Sequence, residues 1–119
     1  MKKFFVIVSI LLALVSTSAA FDSGNYSSQT SGEQTSDAAI VASGCYLSAI
    51  WAITDGTNNA KVIIYDNASA ASGTVVGELT IVGASHFGGR DWLYPIVMRN
   101  GIYVDVTGTG ASYIIEYIE

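Results

Sequence analysis

From Asp37 to Glu119, short runs of β-branched and aromatic residues alternate with Gly, Asn and Asp, and no stretch carries a helical period. This texture limits the fold more than any single motif. Runs of four to nine such residues, bounded by turn formers, read as strands. The candidates are residues 38–42, 45–53, 61–65, 75–82, 93–98, 102–106 and 113–118. In 75–82, Glu78 and Thr80 alternate with Leu79 and Ile81, the period of a half-buried strand. In 102–106, Ile102, Val104 and Val106 share one face, while Tyr103 and Asp105 take the other.

The breaks between the runs have their own chemistry. Asp55-Gly56 lies within a six-residue turn, 54–59, because glycine accepts positive φ at little cost. Arg99-Asn100-Gly101 reads as a hairpin turn, and 108–112 as a second turn. Pro95 inside 93–98 removes a backbone donor, which argues for an edge position or a bulge there. The expectation is an all-β chain: a single small antiparallel β-sandwich, jelly-roll or Ig-like, of about six to eight short strands. Its expected core is Leu47, Trp51, Ile64, Leu79, Ile81, Ile102, Val104, Val106 and Ile115.

The residues before this region read differently. Lys2 and Lys3 precede an apolar run over 4–15, and Ser18 and Ala20 stand at the −3 and −1 positions of a cleavage site. That is the layout of a secretory signal peptide over 1–20, with an uncleaved anchor as the alternative. Residues 21–36, rich in Ser, Thr, Gln and Gly, read as a flexible leader to a sandwich domain over 37–119. The expected location is therefore exported: extracellular, cell surface or virion, with the periplasm as the alternative. Contact with membrane is expected only transiently, through the signal segment.

Charge and cysteine content narrow the functions. Five basic residues face ten acidic ones, a net charge of −5. Loss of 1–20 would leave Lys61, Arg90 and Arg99 against the ten acids, a net of −7. Nucleic-acid partners are excluded on this reading, since phosphate binding needs clustered Lys and Arg. Cys45 is the only cysteine, so no disulfide can form within one chain, and it reads as a buried, inert thiol.

Catalytic chemistry is not indicated. His86 is the only histidine, and no Gly-x-Ser-x-Gly elbow is present. Asp55, Asn58 and Asp66 suit calcium by type but match no EF-hand spacing, so they read as turn residues. Asn25-Tyr26-Ser27 and Asn67-Ala68-Ser69 match the glycosylation sequon. No catalytic, cofactor or metal residues are expected, and the expected activity is non-enzymatic. The densest chemical stretch is 84–92, with His86, Phe87, Arg90, Asp91 and Trp92 around two glycines. It reads as a crossover loop with its aromatics tucked into the core, or as an interface anchor.

The run Thr54-Asp55-Gly56-Thr57-Asn58-Asn59-Ala60-Lys61-Val62-Ile63-Ile64-Tyr65-Asp66 carries a likeness to known proteins. So do Ser72-Gly73-Thr74-Val75-Val76, Asn100-Gly101-Ile102-Tyr103-Val104 and Gly108-Thr109-Gly110-Ala111-Ser112-Tyr113-Ile114-Ile115. Together, over about 44–118, they resemble small phage-encoded β-sandwich virion structural proteins. The resemblance implies a compact β domain without enzymatic activity and supplies no site residues. The export signal departs from tailed-phage virion proteins, which points to a coat that passes the membrane, an exported cellular domain or a filament subunit.

The function expected from these readings is a structural subunit that self-associates on a virion, filament or particle surface. Its partners are other copies of itself and other surface or virion structural proteins. The expected interface residues are Arg90, Trp92, Tyr94 and Tyr103. The alternative is a secreted recognition module that binds a glycan or cell-surface partner through Trp92, Tyr94 and nearby polar groups.

Overall fold

A computed structural model describes residues 27–119. The expected signal segment and residues 21–26 therefore lie outside the described residues, and with them Asn25 of the first sequon. Eight strands follow in order: β1 (Ser28–Thr30), β2 (Ala38–Val41), β3 (Cys45–Ile53), β4 (Ala60–Asp66), β5 (Thr74–Ile81), β6 (Phe87–Met98), β7 (Ile102–Thr107) and β8 (Ser112–Ile118). A single 3-10 turn, Gly83–Ser85, separates β5 from β6.

The strands form two four-stranded sheets, β1-β8-β3-β6 and β2-β7-β4-β5. All pairings are antiparallel. The pairs are nested: β1 with β8, β2 with β7, β3 with β6, and β4 with β5. The chain is thus one long antiparallel ribbon doubled back on itself. Lateral pairs β3–β8 and β4–β7 then roll it into two sheets.

One core lies between the sheets. Leu47, Ile50 and Ala52 of β3, Met98 of β6, and Tyr113 and Ile115 of β8 enter it from the first sheet. Val41, Val62, Ile64, Ile102 and Val104 enter from the second. Full burial of each Leu or Ile stabilises the fold by about 1.5–3 kcal/mol over exposure, which is why these alternating positions fix the register. Leu79, Ile81 and Val106 pack against this cluster while only partly buried.

Trp51 does not enter the core. Its neighbours in the register explain this: Leu47 faces Tyr117 on β8, but Ala49 faces Glu116, so Ser48 is an inserted residue in β3. An inserted residue reverses which side chains point inward beyond it. Ile50 and Ala52 therefore point into the core, and Trp51 and Ile53 onto the outer face.

Three further expectations are corrected. Part of the leader is ordered on β8: Ser28–Thr30 pairs with it as β1, Ser112 Oγ donates to Glu33 Oε1 at 2.6 Å, and Gln34 bridges Tyr113. Hydrogen bonds to β8 hold this polar segment where apolar burial is lacking. The stretch 84–92 is a loop only as far as His86, and β6 begins at Phe87. Arg99-Asn100-Gly101 closes no hairpin, because β6 and β7 lie in different sheets. Asp66 at the end of β4 clamps that crossing, accepting from Asn100 N at 2.8 Å and Arg99 N at 3.2 Å.

Cys45 is buried, and burial pushes its thiol up to about 11, assisted by the Glu119 and Asp66 carboxylates. Burial likewise pushes the Tyr113 hydroxyl up to about 12. Both folded-state values lie above the ordinary 9.0 and 10.0, so the fold favours the protonated forms. The stability they contribute is complete below pH 9 and is lost as pH rises through 11 and 12. A disulfide reagent at pH 8 is accordingly expected to leave Cys45 unmodified until denaturant is added. Rapid stoichiometric modification of the folded chain would contradict this burial.

Candidate interaction face

The outer face of the first sheet is built from cross-strand rows. Tyr46 of β3 stands between Val97 of β6 and Ile118 of β8. Ala49 stands between Asp91 and Glu116, and Trp51 between Gly89 and Ile114. Ile53 lies beside Phe87 and Ser112. Residues directly opposite share a face, so these rows form one surface. Phe87 is 66% exposed and Val97 60% exposed, with Tyr46 at 39%. The face is therefore two apolar patches separated by the carboxylates of Asp91 and Glu116.

At the Phe87 end the surface dips into a groove of about 420 Å³ lined by Trp51, Ile53, Thr54, His86, Phe87 and Ile114. Glycine is required beneath it, because a Cβ at Gly89 would strike the Trp51 ring. The rim is held from behind by Thr54. Its amide donates to the His86 carbonyl at 2.7 Å, and its hydroxyl donates to the Gly83 carbonyl at 2.7 Å. These bonds hold His86 at φ 63, the one non-glycine residue with positive φ among the described residues. Strained backbone of this kind persists only where neighbours over-determine it.

The four expected interface residues do not come together. Arg90, Trp92 and Tyr94 lie on β6, whereas Tyr103 lies on β7 in the second sheet, opposite Ala39 and Tyr65. Trp92 is half-buried and packs against the core, its ring over Gly77 of β5. It closes the side of the molecule where β6 and β5 are the sheet edges. The Arg90 guanidinium sits 5.3 Å from the Trp92 ring centroid, a cation–π contact. Tyr94 is 83% exposed and its neighbour Leu93 88% exposed.

That exposure has a local cause. Leu47 pairs with Ile96 and Ala49 with Asp91, so the four residues 92–95 of β6 stand opposite Ser48 alone. The extra residues leave the ladder and project Leu93, Tyr94 and Pro95 from the edge. Such a bulge, carrying a proline, also obstructs the addition of another strand to β6. The other edge of this sheet, β1, is three residues long. Contacts on this sheet are thus made by side chains more readily than by strand pairing.

Leu93 and Val97 fall within the expected contact region 90–98 and Ile114 on the expected outer face of 102–118, whereas Trp51 was expected in the core. The β-branched and aromatic runs that contain them look the same whether a side chain points in or out, and the insertion at Ser48 has no sequence signature.

Asp55 and Asp66, considered for calcium, serve turns. Asp55 accepts from the Thr57 and Asn58 amides at 2.8 and 2.7 Å, and hydrogen bonds from Asn58 and Thr57 hold its carboxyl below the usual range. No group of three His, Cys, Asp or Glu side chains converges among the described residues. Asn67 of the second sequon caps its own loop, accepting from Ser69 N at 2.9 Å and Ala70 N at 3.0 Å. No family model matches the chain, and no curated protein sequence or solved structure matches it either.

Proposed function

We propose that this chain is a non-enzymatic structural subunit that self-associates through the outer face of its first sheet, on a virion or exported filament or particle. The observation that carries the reading is the apolar outer face: Phe87, 66% exposed, lies with Trp51, Ile53 and Ile114 at one end, and Val97, 60% exposed, with Tyr46 and Ile118 at the other. Exposed apolar patches of this kind are costly to leave in water and mark contact sites.

Two further points support it. The nested strand order is that of a jelly roll, the architecture that viral coat domains and lectins share. The resemblance to phage virion proteins points the same way. Against the recognition-module alternative, the groove offers a sugar few free polar groups. The Thr54 hydroxyl is already bonded to Gly83, which leaves His86 and the Trp51 indole N–H as the polar groups of the lining.

The test is a pair of charges on exposed positions of β6, Phe87→Asp with Val97→Asp. Self-association should weaken at least tenfold while far-UV circular dichroism stays unchanged. Assembly equal to that of the parent protein would overturn this face as the contact.

A further inference from the structure

We infer that the contact between subunits is head-to-tail: the β6 bulge of one copy, Leu93 and Tyr94, seats in the Trp51–Phe87 groove of the next. This rests on the self-association reading and adds its geometry. The bulge and the groove are different places on the same chain, separated along β6. A contact joining two different patches is heterologous, and it propagates into rings or open chains instead of closing as a dimer.

Three observations favour this arrangement over two outer faces stacked symmetrically. The first is charge. Asp91 and Glu116 cross the middle of the outer face on either side of Ala49. A two-fold stack would oppose these carboxylates to their copies, between chains that already carry a net charge of −5. A bulge entering the groove avoids that row, because the groove lining carries no carboxylate.

The second is fit. A groove of about 420 Å³ is near the small end of ligand pockets, roughly 300–1,000 Å³, which suits one or two large side chains. Its lining is aromatic and aliphatic, and the side chains offered, 88% and 83% exposed, are a leucine and a tyrosine.

The third is area. A buried aromatic covers about 150–250 Å², so one bulge and its groove together remove roughly 600 Å² from water. Stable pairs bury about 1,200–2,000 Å². A single contact is therefore modest, and because every subunit of a pair keeps a free bulge or a free groove, growth should not stop at a dimer. Growth should be stepwise with concentration, each subunit using its bulge on one side and its groove on the other.

Complementation tests this. One variant carries Leu93→Asp with Tyr94→Asp and keeps an intact groove. The other carries Phe87→Asp and keeps an intact bulge. Both change exposed positions, and Tyr94→Ser and Phe87→Ser serve as milder versions if circular dichroism shows altered folding. Each variant alone should sediment as a monomer at concentrations where the parent grows. An equimolar mixture should form one-to-one pairs and nothing larger. Absence of pairs in the mixture, or a discrete dimer that both variants leave intact, overturns the head-to-tail contact while self-association stands. A parent protein that stays monomeric overturns the underlying reading as well.

Discussion

Gly101→Ala is expected to destabilise the protein by about 2–6 kcal/mol, a large part of its total stability. Gly101 holds φ at +139, and a Cβ there would strike the Val41 carbonyl oxygen. Backbone strain of this kind costs about 1–3 kcal/mol, and the clash adds an overpacking cost of about 1–3 kcal/mol. The oxygen cannot retreat, because Val41 ends β2 and pairs with Ile102 of β7. A domain of this size has roughly 5–14 kcal/mol in all, so the melting temperature should fall by more than about 10 °C. Asn100→Ala, at an exposed position whose amide is the bonded group, should cost little. A Gly101→Ala variant within about 1 kcal/mol of the parent by urea denaturation would contradict this crossing between sheets.

Tyr113→Ala carries the second large effect. The side chain is fully buried in the core, and its hydroxyl donates to the Ser36 carbonyl at 3.0 Å. Truncating a buried aromatic costs about 3–5 kcal/mol, the transfer term plus the cavity left behind. Tyr113→Phe keeps the ring and loses one hydrogen bond, which is worth about 0.5–1.5 kcal/mol. The difference between the two variants separates packing from the tie to the segment before β2. If Tyr113→Phe cost as much as Tyr113→Ala, the hydroxyl bond and not the ring would be holding β8 in place.

The strand texture was legible because β-branched runs and turn formers act locally. Seven of the eight strands overlap the runs read from composition, and Leu47, Ile64, Ile102, Val104 and Ile115 are buried as their alternation implies. What was not legible is long-range. The Ser48 insertion reverses Trp51 only because Ala49 must meet Glu116 on another strand. Asn100-Gly101 looks like a hairpin turn from its own residues, and only the pairing of β6 with β3 and β7 with β4 makes it a crossing. β1 was hidden by polarity, since its place comes from backbone pairing with β8 and from Ser31 Oγ, which accepts from Ile115 N at 2.8 Å.

The interaction face was half legible for the same reason. Pro95 signalled an irregular edge, and the edge position of β6 and the bulge at 92–95 follow from it. Trp92 and Tyr94, two residues apart, look equivalent in sequence. One closes the core against β5 and the other stands in solvent. Trp92→Ala should therefore lower stability, whereas Tyr94→Ala should leave it within about 0.5 kcal/mol of the parent.

Sedimentation equilibrium of the intact protein, purified without denaturant, tests the central claim most directly. The contact is apolar and the chains repel through a net charge of −5. The weight-average mass should therefore rise with concentration, and rise further as salt screens that repulsion. A mass equal to one chain at every concentration, in low and high salt alike, would contradict self-association.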